Sequence, residues 1–166
     1  MGHKMKCVLK ENQVFFAYET LLGSVVIVSD GCAINALELV RDGMPVPDHR
    51  FTADLLTDRA ALQLDEYLAG SRRQFDLPLA PHGTAFQQAV WNELLRIPYG
   101  ETRSYKHVAQ LIGSPRAFRA VGMANNRNPI MIIIPCHRVI GSNGSLVGYG
   151  GGLDVKEMLL GLEGVR

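Results

Sequence analysis

The sequence lacks several features that would place it in a specialised class of protein. No segment offers the roughly 18 consecutive apolar residues that a membrane span needs, and the first residues, MGHKMK, are too polar for a secretory signal peptide. Internal repeats and low-complexity tracts are missing as well. Only three cysteines occur among 166 residues, and an odd number without framework spacing argues against a disulfide scaffold. We therefore expect a globular protein of a reducing compartment.

The net charge is also close to zero, but the charged residues are unevenly distributed between the two halves of the chain. The whole chain carries +1, whereas residues 1–83 hold eight Lys and Arg against eleven Asp and Glu, and residues 84–166 hold nine against five. The excess of positive charge in the second half is compatible with an anionic partner such as nucleic acid. Such an excess is also common on soluble domains, so charge alone leaves the question open.

The first half of the chain is predicted to form three strands followed by a helix. The segments Gln13–Glu19, Ser24–Ser29 and Ala33–Val40 are rich in Val, Ile, Phe and Leu. Leucines and alanines then recur mostly at helical spacing over Thr52–Leu68. The stretch Ser71–Gly83 contains prolines and has no clear period, which predicts a boundary between a domain of residues 1–83 and one of residues 84–166.

Helical patterns dominate the second half. They cover Thr84–Arg96, Ser104–Ile112 and a segment from Pro115 to about Asn125. Ser114 is expected to cap the last of these helices, with Pro115 as its first residue. Two short helices joined by a turn are typical of a helix-turn-helix unit, whose second helix is offered to DNA. Spacing alone, however, favours an ordinary helical hairpin.

A reactive segment follows these helices. Ile130–Ile134 is a nearly unbroken apolar run that predicts a buried strand, and it leads directly into Pro135, Cys136, His137 and Arg138. A cysteine is a useful nucleophile only as its thiolate, and a nearby imidazole or guanidinium favours that anion. Both groups occur within two residues of the thiol, which indicates nucleophilic chemistry at Cys136.

The residues alone leave other roles for Cys136 open. A free cysteine is most often a buried small apolar side chain, although the polar residues that follow it argue against this. Metal ligation is disfavoured because adjacent Cys and His lack the usual ligand spacing. A cysteine hydrolase remains the chemical competitor, but its base commonly comes from a distant part of the chain. The side chain of His137 would reach the thiol through a water molecule more readily than directly.

Two motifs resemble the signature of the O6-alkylguanine-DNA alkyltransferase family. They are Pro135–Val139 (PCHRV), which is highly specific, and Gly148–Gly152 (GYGGG). The matches span most of residues 84–166, whereas the first half matches only in outline. The further matching segments are Phe86, Val90–Trp91, Ile97–Glu101, Ser104–Tyr105, Arg119–Gly122, Asn128–Pro129, Leu159–Leu160 and Glu163–Gly164.

The resemblance implies an α+β protein with a ribonuclease-H-like N-terminal domain and a C-terminal domain with a winged helix-turn-helix that carries the active site. It implies direct-reversal DNA repair, in which a single-turnover methyltransferase moves an alkyl group from O6 of guanine, or also O4 of thymine, to its own cysteine. The partner would be double-stranded DNA, bound through the minor groove with little regard to sequence and with the damaged base flipped out. No cofactor or membrane is expected, and the protein would be a monomer, cytoplasmic and nucleoid-associated, or nuclear in a eukaryote. No metal is expected either, because Cys7, Cys32, His49 and His82 form no ligand pattern.

The resemblance also implies roles for individual residues. Cys136 would be the nucleophile, His137 a base acting through a water molecule, and Glu163 the carboxylate that holds the imidazole. Asn128 would brace the turns around the site, and Tyr105 would donate toward guanine N3. The expected DNA contacts are Arg119, which would fill the gap left by the base, together with Tyr105, Lys106, Ser114, Arg116, Ala120 and Ser142. The expected lining of the alkyl pocket is Pro135, Val147, Gly148, Tyr149 and Gly150.

Glu157 and Phe118 stand apart from these roles. Because Glu157 lies three residues after Asp154, the spacing predicts a capping box at the start of the last helix. Phe118 occupies a recognition-helix position where the family usually has a small residue, so it either faces the domain interior or alters the contact with the groove.

The alternatives that remain are a non-catalytic binder of alkylated DNA, which would lack the cysteine, and a cysteine hydrolase, which would turn over repeatedly.

Overall fold

The computed structural model describes residues 13–41 and 54–165, and the chain divides after Pro81 into two compact units. The predicted loop Asp42–Asp48 lies outside the described residues, as do the first two residues of the helix predicted over Thr52–Leu68. No helix in the described part of the chain is both long and apolar enough to cross a membrane.

The first unit contains an antiparallel sheet with a helix on it. Its strands, in spatial order, are β1 (Val14–Thr20), β2 (Gly23–Ser29) and β3 (Ile34–Leu39), and helix α1 (Leu55–Leu68) contacts all three. The central strand β2 is almost wholly buried, which explains its continuous apolar run, whereas the edge strand β1 has several exposed positions. The predicted strands and helix are confirmed to within a few residues.

A capping box fixes the start of α1. The carboxylate of Asp54 accepts a hydrogen bond from the Thr57 amide at 2.6 Å, and the Thr57 hydroxyl oxygen accepts one from the Asp54 amide at 3.1 Å. These two bonds satisfy amide groups that lack a partner at a helix start. The helix then places the side chains of Leu64 and Tyr67 in the core of the unit, where both are fully buried.

The second unit is mainly helical. Its helices are α2 (Ala85–Leu94), α3 (Tyr105–Leu111), α4 (Phe118–Asn126) and α5 (Leu153–Leu162). Two short strands, β4 (Arg103–Ser104) and β5 (Val139–Ile140), pair in parallel. Helices α2, α3 and α4 pack against one another, and the buried indole of Trp91 on α2 donates to the Ala124 carbonyl on α4 at 2.9 Å.

Helix α4 begins later than the sequence predicts. Ser114–Ala117 form a turn in which the Ala117 amide donates to the Ser114 carbonyl at 2.8 Å, and the helix starts at Phe118 with no side-chain cap. The prediction that Ser114 caps the helix and that Pro115 begins it was therefore wrong. The extra turn uses the residues that would have formed the first helical turn, so Arg116 lies just before the helix.

The apolar run Ile130–Ile134 is buried, but it is not the predicted strand. It forms a tight turn in which the Ile134 amide donates to the Ile130 carbonyl at 3.0 Å, and Ile132 has a φ of 72°. A β-branched residue rarely adopts this left-handed conformation, which therefore costs on the order of 1–3 kcal/mol. The strand prediction was wrong because an apolar run indicates burial and does not by itself require an extended backbone.

The predicted capping box at the last helix was also wrong. Helix α5 begins at Leu153, and its N-cap is Gly152, with a φ of 92° that suits glycine. Asp154 consequently lies inside the first turn, where its negative charge favours the positive end of the helix dipole. The glycine-rich segment before the helix sets this start in place of the expected side-chain cap.

Candidate active site

Cys136 lies at the first position of a single 3₁₀ turn, Cys136–Arg138, that follows the buried turn Ile130–Ile134. Its side chain is 97 % hidden, with a relative exposure of 3 %. The side-chain amide of Asn128 donates to its sulfur at 3.1 Å. A donor at this distance favours a negative charge on sulfur, so the position of Asn128 suits a reactive thiolate.

Two asparagines near the end of α4 hold the segment that carries the thiol. Asn128 accepts from the Ile130 amide at 3.0 Å and donates to the Ile134 carbonyl at 2.8 Å, in addition to its contact with the sulfur. Asn125, within α4, donates to the Cys136 carbonyl at 3.2 Å. Because both side chains are buried, these bonds are shielded from competition with water, and they couple α4 to the position of the thiol.

His137 and Glu163 form a fully buried pair. Nε2 of His137 lies 3.0 Å from Oε1 of Glu163, and neither side chain is exposed to solvent. An ionised carboxylate can only accept hydrogen bonds, so the proton of the neutral imidazole belongs on Nε2. The lone pair is then on Nδ1.

Arg138 completes this cluster from the other side of the carboxylate. Its Nε lies 3.1 Å and 3.0 Å from the two oxygens of Glu163, its Nη2 donates to Oε1 at 2.8 Å, and its Nη1 donates to the Ile97 carbonyl at 2.6 Å. The Gly100 amide also donates to Oε2 of Glu163 at 3.1 Å. The carboxylate therefore has donors on both oxygens, which satisfies its hydrogen-bonding capacity inside the protein.

The electrostatic environment keeps His137 neutral. Burial is the largest cause that lowers its pKa below the ordinary value of 6.5; Glu163 opposes this, while Arg138 and Lys156 lower the pKa further. Desolvation disfavours the charged imidazolium, as expected for a fully buried histidine. The site thus contains an uncharged imidazole next to a residue that has a nucleophilic side chain.

Tyr105 and Lys156 meet at the loop that precedes α5. The Tyr105 hydroxyl donates to the Val147 carbonyl at 2.8 Å, and burial raises its pKa to about 12. The Lys156 ammonium donates to the Val139 carbonyl at 2.6 Å and the Val147 carbonyl at 2.9 Å, and lies 5.9 Å from the centre of the Tyr105 ring. Burial lowers the pKa of Lys156 to about 8. These bonds fix the Val147 end of the loop.

The remaining expected pocket residues lie in the same part of the second unit. Pro135 and Tyr149 are buried, Gly150 is half-buried, and Val147 and Gly148 are exposed. Gly148 has a φ of 58°, and a side chain at that position would reach within 3.5 Å of the Tyr105 hydroxyl oxygen. That distance is an ordinary van der Waals contact, so the positive φ, rather than lack of space, favours glycine at this position.

The residues expected to contact DNA lie on α3, on α4 and in the turn between them, except Ser142, which lies in the loop after β5. Lys106, Arg116, Arg119, Ala120 and Ser142 are exposed, and Ser114 is half-buried. Phe118 is 44 % exposed, so it does not face the domain interior. The guanidinium carbon of Arg119 lies 5.7 Å from the centre of its ring. An apolar ring next to a cation is thus part of the exposed face of α4.

Three residues of the site were not assigned by the sequence reasoning: Arg138 as a partner of Glu163, Lys156 and Asn125. Arg138 was noted only as a cation near Cys136, and its partner is distant in the sequence. Lys156 could be suspected only from a lysine within an otherwise apolar helical stretch, VKEMLL, which is weak evidence. Among the described residues, no group of three or more His, Cys, Asp and Glu side chains could hold a metal ion. Cys7 and His49 lie outside those residues.

Comparison with known proteins identifies both halves of the chain. Residues 85–165 match the family model described as 6-O-methylguanine DNA methyltransferase, DNA binding domain, and residues 14–81 match that of the ribonuclease-like domain. The prediction of an α+β protein with a ribonuclease-like domain followed by a DNA-binding domain is thereby confirmed.

Individual relatives agree with these matches. A methylated-DNA–protein-cysteine methyltransferase of Methanosarcina acetivorans is 49 % identical over 149 residues, covering 89 % of this chain and 96 % of the relative. The constitutive enzyme of Bacillus subtilis with the same name is 46 % identical over 153 residues, covering 87 % and 92 %. A crystal structure of Mycobacterium tuberculosis OGT in complex with DNA has a TM-score of 0.81 and 45 % identity, covering 90 % and 91 %. The chain belongs to the 6-O-methylguanine DNA methyltransferase family.

Proposed function

We propose that this protein repairs DNA by moving an alkyl group from O6 of guanine in a duplex onto Cys136, in one irreversible turnover. Family membership supports the reaction class. The observation that supports the assignment to this residue is the arrangement around Cys136, whose sulfur accepts a hydrogen bond from Asn128 while a neutral His137, paired with Glu163, follows it in the chain. No cofactor is needed, because the thiolate itself is the acceptor of the alkyl group.

The first step would produce the thiolate. The thiol proton passes to a water molecule, which gives a proton to Nδ1 of His137, and the imidazolium formed is stabilised by the carboxylate of Glu163. The thiolate then attacks the alkyl carbon, so that a carbon–sulfur bond forms as the bond from that carbon to O6 breaks. The electron pair of the broken bond goes to the purine.

The leaving purine must gain a proton to become ordinary guanine, and Tyr105 would supply it. Its hydroxyl now donates to the Val147 carbonyl, and a flipped base in the pocket would take over this hydrogen bond through N3. Because burial raises the pKa of Tyr105 to about 12, the hydroxyl keeps its proton at neutral pH. Proton transfer back from the imidazolium restores the tyrosine, so the thiol proton is finally held by the base.

The proposed DNA contacts use the exposed faces of α3 and α4, the turn between these helices and the loop after β5. Arg119 would enter the gap left by the flipped guanine from the minor groove. The groups proposed to contact the backbone and groove are Tyr105, Lys106, Ser114, Arg116, Ala120 and Ser142. Contacts of this kind hold the duplex without reading its sequence. A monomer would suffice, because all of these residues belong to residues 84–166 of one chain.

The pocket for the alkyl group would be lined by Pro135, Val147, Gly148, Tyr149 and Gly150. Its glycines allow the backbone to approach the base closely. The reaction ends in a thioether, and the described residues include no group that could readily remove an unactivated alkyl group from sulfur. The protein is therefore consumed. Residues 1–83 would serve as a scaffold for the second domain.

Intact mass spectrometry tests the proposal. The protein is incubated with a duplex that contains one O6-methylguanine, and the wild type is compared with Cys136→Ser and with Cys32→Ser as a matched control for loss of a thiol. A gain of one methyl group per molecule in the wild type and in Cys32→Ser, absent in Cys136→Ser, is the expected result. A complex with the lesion but no gain in mass would indicate a binding module, and release of more than one equivalent of repaired base would indicate a turnover enzyme.

A further inference from the structure

Arg138 makes more contacts to the acid of the site than the proposed reaction requires. It approaches both oxygens of Glu163 at 2.8 Å to 3.1 Å, although His137 already faces the same carboxylate at 3.0 Å. The guanidinium is itself held in place, because Nη1 donates to the Ile97 carbonyl at 2.6 Å and the group lies 5.9 Å from the centre of the Tyr99 ring. The proposed mechanism gives this side chain no role.

We infer that Arg138 is a positioning residue that neutralises Glu163, so that the resting imidazole of His137 remains uncharged with its lone pair on Nδ1. This inference rests on the proposed function, in which that lone pair receives the thiol proton. A buried carboxylate facing an imidazole with no other cation nearby would favour the imidazolium. An imidazolium has no lone pair, and a site in that state would have lost its base before the substrate arrived.

The geometry supports a permanent effect of this kind. A guanidinium stays protonated at any pH the protein meets, and its planar fork matches the two oxygens of a carboxylate. Glu163 therefore faces a cation that cannot lose its proton and that approaches both of its oxygens, whereas Nε2 of His137 contacts Oε1 alone. The pairing leaves Glu163 able to orient the imidazole while much of its negative charge is already balanced.

Three segments of the second unit hold the cluster together. The 3₁₀ turn supplies His137 and Arg138, and the residue that follows α5 supplies Glu163. The loop after α2 supplies the Ile97 carbonyl and the Gly100 amide, and the Tyr99 hydroxyl on that loop donates to the Leu162 carbonyl at 3.0 Å. Groups other than Glu163 thus also hold the guanidinium in place, so its positive charge has a fixed position next to the carboxylate.

The charged groups that act on His137 have opposite effects. Glu163 favours the imidazolium, while Arg138 and, from α5, Lys156 oppose it, and burial opposes it most strongly. Removal of Arg138 would take away one of the two opposing cations and would leave the charge of Glu163 unbalanced. The protonation of His137 should then occur at a higher pH than in the wild type.

The test compares Arg138→Met with the wild type by NMR titration of the His137 ring and by the pH dependence of the methyl-transfer rate. We expect the protonation of His137, and with it the acidic limb of the rate profile, to move up by about one pH unit. Arg96→Met is the matched control, because it removes an exposed arginine from the same unit without touching Glu163; it should leave both titrations unchanged. In the double variant Arg138→Met with Glu163→Gln, the upward shift should disappear.

A second variant covers the case in which Arg138→Met does not fold, since it leaves a buried carboxylate without its cation. Arg138→Lys keeps the charge but cannot donate to both oxygens and to Ile97, so a shift of roughly half a unit in the same direction is expected. A folded variant with lower thermal stability and an unchanged His137 titration would show a purely structural role and would overturn the inference. If the wild type transferred no methyl group, the proposed function would fail, while the NMR titration would still decide the role of Arg138.

Discussion

The side-chain nitrogen of Asn128 lies 3.1 Å from the sulfur of Cys136, within hydrogen-bonding contact. The same nitrogen donates to the Ile134 carbonyl at 2.8 Å, so it has little freedom to move away. A methyl group would turn the sulfur into a thioether, which is only a weak hydrogen-bond acceptor, and would add volume in a site where Cys136 is almost wholly buried. Modification at this sulfur should therefore disturb Asn128, and through it the end of α4.

We predict that the methylated protein is less stable than the free protein. Overfilling a packed site typically costs about 1–3 kcal/mol, which corresponds to a fall in Tm of several degrees for a domain of this size. Differential scanning calorimetry of the protein before and after complete reaction measures the difference. A Tm of the methylated form equal to or above that of the free form would contradict the prediction, and Cys136→Ser treated with the same DNA serves as control.

Substitution of Tyr105 should slow the reaction without weakening the complex with DNA to the same extent. Tyr105→Phe retains the ring but lacks the hydroxyl that would protonate the leaving base, and loss of a general acid typically costs a factor of about 10² or more. Single-turnover rates at saturating protein measure the chemical step, and fluorescence anisotropy measures duplex affinity. The assignment fails if the rate is unchanged, or if the whole loss is explained by weaker binding.

Lys156 should make stability depend on pH in the alkaline range. Its pKa in the folded protein is about 8, below the value of 10.5 for the exposed side chain. Between these two values the unfolded chain binds more protons, so the contribution of Lys156 to the free energy of unfolding rises with pH, by at most about 3 kcal/mol. The difference in Tm between the wild type and Lys156→Met should therefore grow in favour of the wild type above pH 8. A difference that stays constant would refute it.

Phe118 should strengthen the contact with DNA. Because its ring is exposed and lies close to the guanidinium of Arg119, it can restrict the orientation of that cation on the face of α4. Phe118→Ala should weaken duplex binding by about fivefold, as expected for loss of an exposed cation–π contact of about 1 kcal/mol, with little change in Tm. Leu62→Ala, an exposed leucine of the first unit, is the control. Unchanged or tighter duplex binding would exclude this role.

Salt dependence should identify which cations contact phosphates. Removing one phosphate contact lowers the slope of log affinity against log salt concentration by about 1. We expect this reduction for Arg116→Ala and for Lys106→Ala. The control is Arg59→Ala, which removes an arginine of the first unit and should leave the slope unchanged. Equal slopes for the wild type and all three variants would remove Arg116 and Lys106 from the proposed interface.

Periodicity predicted the regular elements well, because they depend on patterns along the chain. The apolar composition of β1, the apolar run of β2 and the helical spacing within α1 each indicated the correct type of element. The wrong predictions concern segments whose conformation is set by a side-chain contact or a turn and not by the local pattern of apolar residues. Ile130–Ile134 reads as a strand, but Asn128 binds the backbone at both ends of this segment and allows a tight turn.

The reactive thiol was predicted from the residues next to it, whereas the roles of Asn128, Tyr105 and Glu163 were predicted from motif resemblance. Cys136 and His137 are adjacent in a distinctive motif, so both could be proposed from the sequence. The pairing of Arg138 with Glu163 joins residues 25 positions apart in the chain, and nothing in either local pattern indicates the contact. The same holds for Lys156, since the carbonyl groups that it binds belong to β5 and to the loop before α5.

The burial of Cys136 also affects the lifetime of the unused protein. A thiol that can react once is wasted whenever an oxidant or a small electrophile reaches it first. Cys32 is exposed and Cys136 is hidden, so a general thiol reagent should modify Cys32 long before Cys136. On the proposed function, the packing around the sulfur would protect Cys136 from such side reactions until the damaged base is bound.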